Sequence, residues 1–143
     1  MGVRRAAREA ALQALYQHDM TSDADAERAV PFWAHFQGPD DVRRFAHELV
    51  DGVESNRERI DAMIADSAEH WRISRLSKVD LNLLRLGTYE LMERPEIPAS
   101  VTLNEAVEIA RRFGGEDSAA FVNGVLDHIA GVLGVKDRTI SDE

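Results

Sequence analysis

Two clusters of residues in this sequence have the types and spacing of a surface that holds phosphates and unpaired bases. In the first, Arg4, Arg5 and Arg8 fall within an arc of roughly 100° if the segment is helical, so three guanidinium groups share one side of its first two turns. The second surrounds Gly114-Gly115: Arg111, Arg112 and Phe113 precede the glycines, and Asp117, Phe121 and Asn123 follow them. Guanidinium forks match phosphate oxygens, and phenylalanine rings stack on unpaired bases. A carboxylate accepts from a base amino group, and an amide either donates or accepts. Plainer readings stand beside these. Arginines also decorate solvated helix faces, and both phenylalanines are equally at home in a core.

Other chemistries lack their residues. His18, His35, His47, His70 and His128 are dispersed, with no pair at helical metal-ligand spacing and no H-E-x-x-H. Gly114-Gly115 is not a G-x-G-x-x-G and follows no predicted strand, and neither a P-loop lysine nor G-x-S-x-G occurs. The carboxylates fall on predicted wet faces beside basic partners, which is not the isolated pair that acid–base catalysis needs. The expectation is a binding protein with no catalytic residues, no metal and no cofactor.

The elements that must position the two clusters are helical throughout. Residues 3–20 read as an alanine-rich helix with Ala7, Ala11, Ala14 and Leu15 on its core side. Arginines in its first turns oppose the helix dipole, at a few tenths of a kcal/mol each, so an anion should compensate them, and phosphate is the obvious candidate. Thr21, Ser22 and Asp23 break this helix. Ala26, Ala29, Val30, Trp33 and Phe36 then suggest a short amphipathic helix kinked at Pro31. Val42, Phe45, Ala46, Leu49, Val50 and Val53 form the cleanest apolar stripe, and Ser55 with Glu58 suggests a capping box for a helix carrying Ile60, Met63, Ile64 and Trp71 inward. Ser77 and Asp80 open a helix to about Glu93 that is apolar nearly all round, which predicts a central position.

Thr102 and Glu105 form another T-x-x-E capping box, followed by a stripe of Leu103, Ala106, Val107, Ala110 and Phe113 and a Glu108–Arg112 pair on the wet side. Gly114-Gly115 suits the left-handed conformation that ends a helix, and Glu116 and Asp117 suit the start of the next one. That helix carries Val122, Val125, Leu126, Ile129 and Leu133 inward. Asn123-Gly124 lies in its middle, where glycine costs about 1 kcal/mol against alanine; close approach of another helix or of a ligand would explain it. No segment alternates with a period of two, so the fold class is all-α, with about seven helices, and a frayed tail is expected beyond Gly134.

Composition narrows the partners. The 143 residues suit one domain, 44% hydrophobic and 30% charged. No apolar run approaches the roughly 18 residues that span a membrane, and no membrane partner is expected. The absence of cysteine excludes disulfides and is compatible with a cytoplasmic protein. A net charge of −9 argues against binding nucleic acid with the whole surface. Yet Arg4, Arg5 and Arg8 fall in the first eight positions, which hold no acid. Any anion site must therefore be local.

Three stretches resemble the NusB family of bacterial transcription antitermination factors: R-R-A-A-R-E-A-A-L-Q-A-L-Y at 4–16, V-D-L-N-L-L-R-L-G-T-Y-E-L at 79–91 and N-E-A-V-E-I-A-R-R-F-G-G-E-D-S-A-A-F-V-N-G-V-L-D at 104–127. The resemblance runs from Arg4 to about Leu133, is least close over residues 21–45, and leaves the chain after Lys136 without a counterpart. It implies one domain over 1–143, built of two three-helix subdomains at about 1–70 and about 71–134 with a tail at 135–143. It also implies binding of the single-stranded boxA element of ribosomal RNA operon leaders, together with NusE, a small-subunit ribosomal protein, within the antitermination complex of RNA polymerase. By motif position, Arg4, Arg5 and Arg8 match an RNA-contacting run, and Phe113, Asp117 and Phe121 match positions near RNA. Tyr16 and Asp80 match positions tied to the RNA–NusE assembly.

Two other readings remain open at this stage. Some ribosomal RNA methyltransferases carry a NusB-like domain, although no cofactor-binding βαβ pattern follows here; a helical protein-interaction module is the other. A homodimer that masks the arginine face is also compatible with the sequence. Replacing Arg4, Arg5 and Arg8 together by alanine is expected to weaken RNA binding without unfolding the protein.

Overall fold

The computed structural model describes residues 2–21, 32–68 and 76–136, and these form six α-helices and one short 3₁₀ turn, with no strand among them. The helices are α1 (Val3–Met20), α2 (Asp40–Ser55), α3 (Arg57–Ser67), α4 (Lys78–Glu93), α5 (Ala99–Phe113) and α6 (Ser118–Leu133), and the turn is Phe32–Ala34. The all-α expectation holds, with a helix count close to the one read from the sequence. Ser22 to Pro31, His70, Trp71 and the tail from residue 137 lie outside the described residues. Of the short helix expected around Pro31, Trp33 and Phe36 fall inside, on and beside the 3₁₀ turn, packed against the core.

The near-continuous apolar character of α4 has the predicted consequence. Every residue from Leu81 to Thr88 is buried, and α4 packs against α1, α2, α3, α5 and α6. Gly87 sits where α4 meets α6: a Cβ there would lie 2.7 Å from Cδ1 of Leu126, whose side chain is fully enclosed. Asn82, Arg85 and Glu90 of α4 are buried too, and each has a partner. Arg85 donates two hydrogen bonds of 2.9 Å to Asp61 on α3, and one of 2.8 Å to Asp19 at the end of α1. Asn82 donates to the same Asp19 oxygen at 2.9 Å. Burial pushes the Asp19 carboxyl up, but the Asn82 hydrogen bond and the charges of Arg85 and Arg57 outweigh it and leave the group below its ordinary value.

Helix boundaries differ from the sequence reading in instructive ways. Ser77 does cap α4, accepting from the backbone N–H of Asp80 at 3.0 Å. Thr102 and Glu105 form no capping box: α5 starts four residues earlier than that box implies, at Ala99, because Pro98 has a fixed extended conformation and its carbonyl receives the first helical N–H groups. Ser55 and Glu58 form none either. Asn56 closes α2 instead, donating its side-chain amide to the Gly52 carbonyl at 2.9 Å, so Ser55 is still inside α2.

Gly114 is extended (φ −95, ψ −174), not left-handed. Glycine is needed there because a Cβ would collide with the Ser118 side chain and the Ala110 carbonyl, at 2.5–2.8 Å. The left-handed glycine is Gly134 (φ 72), which ends α6. Gly124 has open space where a side chain would stand, so no other helix approaches it.

Gly87→Ala is expected to lower stability. Crowding of about 1–3 kcal/mol exceeds the roughly 1 kcal/mol that alanine gains in a helix. Thermal unfolding checks this, and an unchanged or higher midpoint would contradict the close α4–α6 approach.

Candidate nucleic-acid interface

The first-helix arginines do share one side of α1, but that side meets the rest of the protein. Arg8 is only 5% exposed. Its Nε and Nη2 donate to the two carboxylate oxygens of Glu90 on α4 at 2.7 and 2.8 Å, and the Thr102 hydroxyl on α5 donates to Glu90 at 2.9 Å. Arg5 makes the same two-pronged contact with Glu105 on α5, 2.7 Å at each prong, and Arg8 lies 3.8 Å from that carboxylate. The Arg5 hydrogen bond chiefly holds the Glu105 carboxyl below its ordinary value, against burial and with help from the charges of Arg5 and Arg8. Arg4 is exposed, its guanidinium 5.2 Å from the centroid of the Phe45 ring. The anions that compensate the start of α1 are therefore carboxylates of α4 and α5. This corrects the expectation that all three arginines can be removed without harm to the fold, since losing Arg8 leaves Glu90 charged and buried.

Beyond Arg5 the α1–α5 seam opens into a groove of about 260 Å³ lined by Arg5, Glu9, Glu108, Arg111 and Arg112. Arg111 pairs with Glu108 at 2.6 Å, one turn back on α5, and Arg112 reaches across to Glu9 at 3.1 Å. These replace the Glu108–Arg112 pair expected from spacing. The Arg112 guanidinium also lies 5.3 Å from the Phe113 ring centroid.

Phe113 leads into a second cleft. It is 36% exposed and lines about 370 Å³ with Leu12, Gln13, Tyr16, Gln17, Phe32 and Val79; Tyr16 is 39% exposed. Asp80, next to Val79 on α4, opens a third cleft of about 370 Å³ with Leu76, Ser77, Gly115, Asp117, Ser118 and Phe121. Ser118 shapes its rim by accepting the Gly115 N–H at 2.9 Å. The elbow between α5 and α6 thus spreads its residues over three adjoining sites, with Arg111 and Arg112 in the first, Phe113 in the second, and Asp117 and Phe121 in the third. Phe121 is only partly exposed and packs against the core, whereas Phe113 faces outward. Asn123 is exposed on α6 and lines none of the three clefts.

From the sequence, Glu105 reads as part of a capping box and Glu108 as the partner of Arg112, while Glu9 and Glu90 carry no role; the structure gives all four to these arginines. Only the Glu108–Arg111 spacing of three was visible as a local signal. The other pairs join residues 82 to 103 positions apart and have no signature along the chain.

Comparison with known proteins supplies an independent finding. The sequence model of the NusB family matches residues 5–131. The chain is 49% identical over 138 residues to the transcription antitermination protein NusB of Myxococcus xanthus, covering 93% of this chain and 98% of that protein. It is 46% identical over 145 residues to the NusB of a Geobacter species, covering 96% and 100%. Among solved structures, a T. maritima NusB superposes with a TM-score of 0.79 at 38% identity, covering 90% of each chain. A chain from a crystal structure of the antitermination factors NusB and NusE in complex with dsRNA superposes with a TM-score of 0.73 at 29% identity, covering 91% and 97%.

Two outcomes test this geometry. Arg8→Ala is expected to destabilise the protein by about 3–5 kcal/mol, because it strands a buried carboxylate, while Arg4→Ala changes stability by less than about 0.5 kcal/mol. Denaturant unfolding separates them, and equal effects would contradict the buried Arg8–Glu90 pair. Glu105 and Asp19 both titrate below their ordinary values of 4.5 and 3.8 when folded. The stability they contribute is complete above about pH 5 and is lost as the pH falls through and below those values. A Glu105→Gln variant should flatten that acid limb, and an unaltered limb would show that the Arg5 pairing contributes nothing.

Proposed function

This chain belongs to the NusB family and is a non-catalytic antitermination factor, and we propose that it acts by binding the single-stranded boxA element of ribosomal RNA operon leaders together with NusE. The assembly then joins RNA polymerase in the cytoplasm and lets ribosomal RNA transcription continue past terminators. Of the relatives, one is named in a complex of NusB and NusE with dsRNA, and others are matched over 98–100% of their length and carry the antitermination name.

The observation that carries the reading is the continuity of the three sites. Arg111 and Arg112, beside the Glu105-bound Arg5, offer guanidiniums to phosphates, Phe113 and Tyr16 offer outward aromatic surface, and Asp117 and Asp80 offer acceptors beside Phe121. Backbone capture, stacking and base readout adjoin in that order. Aromatic platforms and acceptors set in clefts favour unpaired bases, because a duplex hides base faces and pairing edges. Arg4 adds charge at the mouth of α1. Arg8 serves the site by holding α1 in place. No feature of the three clefts assigns a base contact to Asn123.

Binding of single-stranded boxA RNA, a scrambled strand and a duplex, each with and without NusE, tests the proposal. The expected order is boxA strand above scrambled strand and duplex, strengthened by NusE. Phe113→Ala should weaken boxA binding by about ten-fold with no change in salt dependence. Arg112→Ala should weaken all strands and reduce the salt slope by about 0.7. Equal affinity for boxA and scrambled strands in the presence of NusE would overturn the reading.

A further inference from the structure

The groove between α1 and α5 holds a feature that an RNA-binding surface does not require. Its three arginines are already occupied. Arg5 is held at both prongs by Glu105, Arg111 by Glu108, and Arg112 by Glu9. The groove lining alone carries three guanidiniums and two carboxylates, and Glu105 supplies a third anion behind them. On a chain of net charge −9, a groove so nearly neutral draws a polyanion only weakly.

Resting on the proposed RNA-binding role of this face, we propose that Glu9 and Glu108 form a carboxylate gate, which a phosphodiester opens by exchanging places with them on Arg112 and Arg111. The three pairs are not alike. Arg5–Glu105 is two-pronged, with side-chain exposures of 36% and 20%, and is a fixed part of the α1–α5 seam. Arg111 and Arg112 are about 60% exposed, each bound through a single guanidinium nitrogen. The Arg111–Glu108 pair is exposed on both sides, so breaking it costs little, whereas Glu9 is only 12% exposed and its release from Arg112 costs more. A phosphate presents oxygens to the same donors that now hold a carboxylate, and the guanidinium fork suits both anions. Arg112 keeps its seat beside Phe113 when Glu9 lets go, so it stays in the groove.

Both gate carboxylates line the groove together with Arg5, and their charges reinforce its positive charge. Their function is a threshold. Phosphate contacts carry no sequence information, so an ungated cluster of arginines would hold any RNA strand. With the gate closed, a strand remains bound only when its bases also fill the neighbouring clefts.

The test is fluorescence anisotropy of full-length protein with NusE, using labelled boxA and scrambled strands across a salt series, for wild type, Glu108→Gln, Glu9→Gln and Asp66→Asn. Asp66 is an exposed acid on α3, away from the groove, and controls for net charge alone. Each gate variant is expected to bind both strands about three-fold more tightly, with a salt slope steeper by about 0.7, while Asp66→Asn matches wild type. Glu9 is largely enclosed, so its variant is read beside a melting curve, and Glu108→Gln stands alone if Glu9→Gln unfolds. Wild-type binding with no gain in Glu108→Gln overturns the gate and leaves the RNA-binding reading intact. An equal gain in Asp66→Asn also overturns it, because net charge then suffices. Wild type that binds neither strand overturns the RNA-binding reading, and the gate with it.

Discussion

The buried pair of Arg8 and Glu90 is the constraint on which the rest of this molecule depends. Two charges out of water must stay together, since either one alone is far more costly than the pair. Glu90 belongs to α4, Arg8 to α1, and the Thr102 hydroxyl from α5 completes the carboxylate's partners, so three helices are pinned at one point. From that pin the register of α1 against α5 follows. Arg5, one turn before Arg8, meets Glu105. Glu9, next to Arg8, meets Arg112. Leu12 and Tyr16, one and two turns later, line the cleft that Phe113 closes. The proposed RNA-binding face is thus the exposed continuation of a core interaction.

The proposed role requires that an acidic protein hold an anionic ligand, and this arrangement allows it. Long-range attraction is absent on a chain of charge −9, so recognition relies on contacts within a few ångströms. Screening by internal carboxylates works in the same direction. On the proposed function, what such a surface gives up in raw affinity it recovers as dependence on the bases themselves and on a partner that completes the contact.

Much of the fold was legible because it is written in local periodicity. The apolar stripes of α2 and α6 and the encircled apolar surface of α4 predicted helices and the central place of α4. The errors share one cause. T-x-x-E at Thr102 looks like a helix start, yet Pro98 upstream starts α5 earlier and frees the Thr102 hydroxyl for Glu90 on another helix. Gly114 looked left-handed, but what it answers to is the approach of Ser118. The placement of these arginines and aromatics on their helices was legible from spacing, whereas their partners were not. Nothing near Arg8 in the chain announces that its carboxylate lies 82 residues away. Helix spacing located the arginines on one side of α1 and could not tell whether that side meets solvent or protein. Burial decides that, and burial is a property of all six helices together.

The central claim is that the face running from the α1–α5 groove through the Phe113 cleft to the Asp117 cleft is where RNA sits. Backbone amide chemical-shift mapping of the isotopically labelled protein, titrated with the single-stranded boxA element, tests this most directly. The account predicts that the largest shifts fall on residues 4–16, 76–80 and 108–121, with α2 and α3 nearly silent. Shifts confined to α2 and α3, with those segments silent, would contradict it.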